Sequence, residues 1–178
     1  MSYLLDANVF IQAKNLYYGL DFCPAFWQWI IDQNAAGAVY TIDKVADEIA
    51  AGSDELSTWM AGRSTSFFRK TDGAIVPHFG RVSNWVMGQG YEPAAVSTFM
   101  QVADYYLIAH ALSGNHVVVT HEVPANTVKR IKIPNVCAGL NLHFMTPYEM
   151  LRKEKARFVL GGGPNIQLAT EEKRNVQP

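Results

Sequence analysis

Met1-Ser2-Tyr3-Leu4-Leu5-Asp6-Ala7-Asn8-Val9-Phe10-Ile11 opens the chain and reads as a short apolar strand that stops at a carboxylate and turns at once into a helix. In an α/β sheet the carboxyl end of a strand opens onto the crevice where ligands bind, so Asp6 would face a site rather than the core. Asp and Asn are also ordinary helix N-caps, because their side-chain oxygens accept hydrogen bonds from the unpaired N–H groups of the first turn. Taken alone, Asp6 reads as a cap.

Working outward, apolar runs with β-branched residues recur at Tyr3–Leu5, Ala38–Ile42, Val117–Thr120 and Leu142–Met145, with helical patterns between them. That alternation predicts an α/β fold with a central, mainly parallel sheet flanked by helices. The first helix is expected from about Asn8. Pro24–Asn34 carries a broad stripe of Phe26, Trp27, Trp29, Ile30 and Ile31, and a third helix runs from Asp43, a candidate cap, through Val45 and Ile49 to a stop at Gly52. Further helices are expected at Glu55–Ala61, near Val82–Met87, and from Pro93 through Ala111 as two consecutive helices or one bent one. A terminal helix is expected over Tyr148–Leu160, closed by Gly161-Gly162-Gly163-Pro164. The expected organisation is one domain over residues 1–160, less regular at 53–92, followed by a polar, mobile tail at 161–178.

At 178 residues with 49% apolar content, the chain suits a single domain with a full core. Cys23 and Cys137 are far apart and lack a C-x-x-C partner, so neither a disulfide framework nor a zinc knuckle is indicated. No basic leader and no stretch of ~18 uncharged apolar residues is present, so a cytoplasmic, non-membrane protein is expected. The net charge of −1 conceals an asymmetry: residues 1–128 hold six Lys/Arg against twelve Asp/Glu, whereas residues 129–178 hold nine against four. The basic cluster, including Lys129, Arg130, Lys132, Arg152, Lys153 and Lys155, would suit a polyanion, and equally a solvated helix face.

Three other carboxylates lie where folding alone would not demand them. Glu48 sits in Val45-Ala46-Asp47-Glu48-Ile49, at the border of the buried and wet faces; either it or Asp47 could serve the positive helix N-terminus instead. Asp104 interrupts an otherwise buried helix, Val102-Ala103-Asp104-Tyr105-Tyr106-Leu107-Ile108-Ala109, and a buried carboxylate needs either a Lys or Arg partner or a bound cation. Glu122 follows the strand Val117-Val118-Val119-Thr120, again at a carboxyl end, where its plain reading is a solvated turn residue. If the four acids share one crevice, their charge calls for a hard divalent cation, Mg²⁺ or Mn²⁺, which prefers carboxylate and water oxygens. The triple glycine follows a helix rather than a strand and lacks the Lys-Ser/Thr ending of a phosphate-binding loop.

In order, Leu4-Leu5-Asp6-Ala7-Asn8, Val45-Ala46-Asp47-Glu48-Ile49, Ala103-Asp104-Tyr105-Tyr106-Leu107-Ile108-Ala109-His110-Ala111 and Val118-Val119-Thr120-His121-Glu122 resemble the acidic motifs of the PIN-domain superfamily. Phe144-Met145-Thr146-Pro147-Tyr148-Glu149-Met150-Leu151 is similar to the last strand and helix of that superfamily. Glu122 stands where it usually has Asp, and the Thr-His-Glu closing sequence looks closest to an uncharacterised branch.

The resemblance implies a three-layer PIN-like fold and a metal-dependent endoribonuclease that leaves a 5′-phosphate and a 3′-hydroxyl, as the toxin of a toxin–antitoxin pair. It implies that Asp6, Glu48 and Asp104 hold the first Mg²⁺ or Mn²⁺ and that Glu122 completes that site or supports a second. Asn8 and Thr120 would orient the ligands, and Lys129, Arg130, Arg152, Lys153 and Lys155 would meet the RNA backbone. An antitoxin and a second copy of the chain are the expected protein partners. The competing reading is a catalytically silent PIN-like module that works through a protein partner. A phosphatase with Asp6 as nucleophile is disfavoured, because Asn8 lacks the second carboxylate of an Asp-x-Asp arrangement.

Overall fold

The computed structural model describes residues 2–159. Tyr3–Leu5 form β1, and all three residues are buried. Burial on both faces is what a central parallel strand requires, because helices cover each side of the sheet. Among the described residues β2 (Val39–Ile42), β3 (Phe68–Arg69), β4 (Val117–Val119) and β5 (Phe144–Met145) follow. They line up in the order β3-β2-β1-β4-β5, and every neighbouring pair is parallel. Leu4 lies opposite Tyr40 on one side and Val118 on the other. The sheet grows to one side of β1 and then to the other, so β1 is the switch point at which the following connections diverge and leave a crevice.

The chain leaves β1 through Asp6 into α1 (Ala7–Gln12), which runs on into a π-helical turn at Ala13–Tyr17, closed by the Tyr18 N–H on the Ala13 carbonyl at 2.6 Å. The apolar stripe expected for the next helix is buried in α2 (Pro24–Ala35) at Phe26, Trp27 and Ile30. Directly after β2, α3 (Asp43–Ala50) buries Val45 and Ile49. Asp43 lies one residue inside this helix and Ile42 holds the cap position, so Asp43 is a first-turn acid rather than the cap. α4 (Glu55–Ala61) has a side-chain cap, with Asp54 accepting from the Ser57 N–H at 3.0 Å.

α5 (Val76–Met87) starts six residues before the expected Val82, with Pro77 in its first turn. Residues 93–114 form two helices rather than one bent one: α6 (Pro93–Phe99) and α7 (Ala103–Gly114), separated where Val102 turns to an extended backbone. Then comes α8 (Ile133–Gly139), which the sequence reading missed along with β3. α9 (Pro147–Lys153) opens on a capping box between Thr146 and Glu149. It ends well short of the expected Leu160, because Lys155 adopts a φ of 53° and the Ala156 N–H turns back to the Leu151 carbonyl at 2.9 Å. The glycine stop and the tail at 161–178 lie outside the described residues.

One core joins these layers, with Leu4, Leu5, Phe10, Ile42, Leu107 and Val118 fully buried. Burying a side chain such as Leu4 contributes about 1.5–3 kcal/mol relative to exposure, which fixes the strand whose carboxyl end carries Asp6. Both cysteines are free, and among the described residues no helix is long and apolar enough to cross a membrane.

Candidate functional site

Asp6 emerges from the switch-point strand 4% exposed. It occupies the cap position of α1, yet its carboxylate makes no capping bond; Oδ2 instead accepts from the Thr120 hydroxyl at 2.8 Å. Thr120 follows β4 and is itself buried. Its oxygen accepts from Asn8 Nδ2 and from the Glu122 N–H, each at 3.0 Å, so one donor and two acceptor positions are all used. Asn8 completes the junction by accepting from the His121 N–H at 2.9 Å. The two strand-end motifs are thus stitched together by their polar side chains.

Asp6, Glu48, Asp104 and Glu122 line one cavity of about 580 Å³, with Asn8 beside them. Glu48 comes from α3, Asp104 from the first turn of α7, and Glu122 from the segment after β4. Lys129 and Arg130 also line the cavity, together with Ala94, Ala95, Thr98, Phe99 and Ile131. This volume is in the range of small-ligand sites. Asp47, the alternative to Glu48, is exposed and pairs with Lys44 at 3.6 Å. Arg152, Lys153 and Lys155 are exposed on and just after α9 and are not part of the cavity lining.

Burial and mutual repulsion dominate the electrostatics. Loss of solvation pushes the Asp6 carboxyl up to about 8, and Asp104, Glu122 and Glu48 add to the rise while the Thr120 hydrogen bond opposes it. Asp104 is pushed up to about 6, by desolvation first and then by Glu122 and Glu48, with Arg130 and Lys132 pulling the other way. Glu48 is raised by desolvation. Among the described residues none of these three acids has a Lys, Arg or His within ion-pairing distance.

Glu122 differs from them. Its Oε1 accepts from Lys132 Nζ at 2.5 Å with Arg130 at 3.8 Å, and its Oε2 accepts from the Ile133 N–H at 2.8 Å. Lys132 and Ile133 were missed as site residues because the contact spans about ten positions of irregular chain with no periodic signal. The apolar wall of α6 was also missed, since its residues look like ordinary core.

The donor chemistry fits a hard divalent cation: three carboxylates with no ion-pair partner among the described residues face one cavity. Among the described residues, however, no three His, Cys, Asp or Glu side chains stand in an arrangement that would hold a metal ion directly. Mg²⁺ tolerates this better than most cations, because it keeps several waters and takes only one or two protein carboxylates.

The family described as "Domain of unknown function (DUF4411)" matches residues 3–158. No curated protein matches the sequence. Among solved structures, VapBC2 from Rickettsia felis, bound to a DNA fragment from their promoter, is similar over 82% of this chain and 98% of that one, with a TM-score of 0.52 and 14% identity. FitAcB from Neisseria gonorrhoeae aligns over the same shares with a TM-score of 0.49 and 16% identity. At 14% identity the likeness to VapBC2 concerns the fold, and the fold is PIN-like.

Proposed function

The chain belongs to the DUF4411 family, and from that premise we propose that it is a Mg²⁺- or Mn²⁺-dependent endoribonuclease, the toxin of a toxin–antitoxin pair. One observation carries this reading: Asp6, Glu48 and Asp104, from three separate elements, face one cavity at the switch point without a cationic partner among the described residues. Concentrated carboxylate charge of this kind is a cost to the fold that a bound cation offsets. The order of the acidic motifs and the PIN-like fold support the same reading.

Asp6, Glu48 and Asp104 would hold the cation between them, one or two directly and the remainder through its bound waters. When bound, it supplies an acidified water and stabilises charge on the attacking and leaving oxygens of an in-line phosphodiester displacement. Thr120 orients the Asp6 carboxylate, and Asn8 fixes Thr120 and the turn at His121. Lys129 and Arg130 offset the repulsion between the acids and the RNA backbone. An antitoxin would be the protein partner, with a second copy of the chain as a further one.

The test is manganese binding and RNA cleavage by the wild type and by Asp104→Asn. Mn²⁺ binding and metal-dependent cleavage that both vanish in the variant, with the fold retained, are the expected result. Undiminished cleavage by the variant overturns the assignment. A second reading is favoured by the lack of a ready three-ligand arrangement among the described residues: a catalytically silent module acting through a protein partner. No Mn²⁺ binding at millimolar metal, together with stable association with a neighbouring gene's product, would select that reading.

A further inference from the structure

Glu122 looks from the sequence like the fourth ligand, but its surroundings give it other work. Both carboxylate oxygens are engaged, Oε1 by Lys132 at 2.5 Å and Oε2 by the Ile133 N–H at 2.8 Å. Its side chain is only 11% exposed and that of Lys132 19%. A shielded pair with a backbone donor on the second oxygen is far better held than an exposed ion pair. A cation on Oε1 would have to sit against the Lys132 ammonium 2.5 Å away, while Oε2 already serves the first N–H of α8.

The chain between Glu122 and α8 has no helix or strand, yet it is fastened at several points. The Ala125 N–H and carbonyl are both bonded by the Asn135 side chain, at 3.0 and 3.1 Å. The Glu92 N–H reaches the Val128 carbonyl at 2.9 Å, tying the segment to the start of α6. Glu122 closes the loop at its base, and at its other end the Glu122 N–H joins Thr120 and through it Asp6. The result is that Lys129, Arg130 and Ile131 are laid along the cavity. Arg130 is not consumed by the clamp: it lies 3.8 Å from an oxygen already taken by Lys132, and its side chain is 72% exposed.

Building on the ribonuclease reading, we propose that Glu122 is a positioning residue and not a metal ligand: it clamps residues 123–132 so that Arg130 meets the phosphate backbone of a single RNA strand at the acid-lined cavity. Glu122 acts through Lys132 and Ile133, and Arg130 is the group that touches RNA.

The test uses the full chain and two readouts. Mn²⁺ affinity is measured calorimetrically for the wild type, Glu122→Gln and Asp104→Asn. Binding of a fluorescein-labelled single-stranded oligoribonucleotide is measured by anisotropy in EDTA, across a salt series, for the wild type, Glu122→Gln, Lys132→Met and Arg130→Gln. Glu122→Gln should keep Mn²⁺ affinity within about twofold, whereas loss of a true ligand or its orienting partner costs about tenfold or more. Arg130→Gln should weaken RNA binding and flatten the slope of log affinity against log salt by about 0.7, the value for one phosphate on a single strand. Glu122→Gln and Lys132→Met should reproduce that loss of slope, which general loosening of the fold would not do.

A drop in Mn²⁺ affinity for Glu122→Gln equal to that of Asp104→Asn overturns the proposal. So does unchanged RNA binding and salt slope in both clamp variants, or no RNA binding by the wild type. If the wild type binds RNA but no Mn²⁺, the metal reading falls while the anisotropy series still decides the clamp. Should Glu122→Gln fail to fold, Lys132→Met carries the same comparison from the other side of the pair.

Discussion

Thr120 donates its hydroxyl to the buried Asp6 carboxylate at 2.8 Å while accepting from Asn8 and from the Glu122 backbone. This one oxygen links the end of β1 to the end of β4. Thr120→Val keeps the shape and removes the donor, so Asp6 becomes harder to ionise and is freed to rotate. Mn²⁺ affinity at neutral pH should fall by about 10–100-fold, the usual cost of losing a partner behind a ligand. The pH midpoint of metal binding should rise as well. A calorimetric titration at several pH values checks both, and an unchanged midpoint would show that the hydrogen bond does not tune Asp6.

The raised carboxyls give the metal-free protein a characteristic pH response. Asp6 stands at about 8 and Asp104 at about 6 in the folded state, both above their unfolded value of 3.8. The unfolded chain releases these protons first, so their contribution to stability is fully present below about pH 4 and is lost as pH rises through 6 and then 8. In EDTA the wild type should therefore melt at progressively lower temperature between pH 5 and about pH 8.5, and Asp104→Asn should show a shallower fall. The same fall with pH in the two proteins would show that neither the burial of Asp104 nor its repulsion by the other acids is felt by the fold.

Saturating Mn²⁺ should reverse that loss. A ligand that binds only the folded state stabilises it by about 2.7 kcal/mol at a hundred times its dissociation constant. Thermal melts with and without metal at pH 8 should separate by several degrees for the wild type and coincide for Asp104→Asn.

The basic residues divide into two groups. Lys129 and Arg130 line the cavity, whereas Arg152, Lys153 and Lys155 lie on and after α9, outside its lining. Replacing the latter three with Glu should therefore weaken RNA binding less than Lys129→Glu with Arg130→Glu, in an anisotropy titration at equal salt. The reverse order would move the RNA path onto α9.

Leu4 is fully buried in the strand that presents Asp6. Leu4→Ala should cost about 2–5 kcal/mol, as a core truncation that leaves a cavity does. Urea unfolding monitored by tryptophan fluorescence gives the value directly.

Part of the site was legible because two of its acids interrupt an apolar pattern. Asp6 ends a buried strand and Asp104 breaks a buried helix face, and such interruptions are visible in a single sequence. Choosing Glu48 over Asp47 was also legible from its place at the edge of the apolar face, and Asp47 pairs with Lys44 instead. The edge strand Phe68–Arg69 was not legible, since two residues carry no alternation and owe their conformation to pairing with Thr41 and Ile42. The role of Glu122 was hidden for a related reason. Its partners, Lys132 and the Ile133 N–H, come to it through an irregular segment whose path is set by bonds at Asn135 and Val128 rather than by local propensity.

The three inner strands of the sheet run three or four residues, and its edge strands only two, Phe68–Arg69 and Phe144–Met145. Such short margins offer almost no free backbone ladder for another strand to extend. A polypeptide docking on the described residues would therefore be recognised by side chains on helices and loops, where specificity can change without disturbing the strand that carries Asp6.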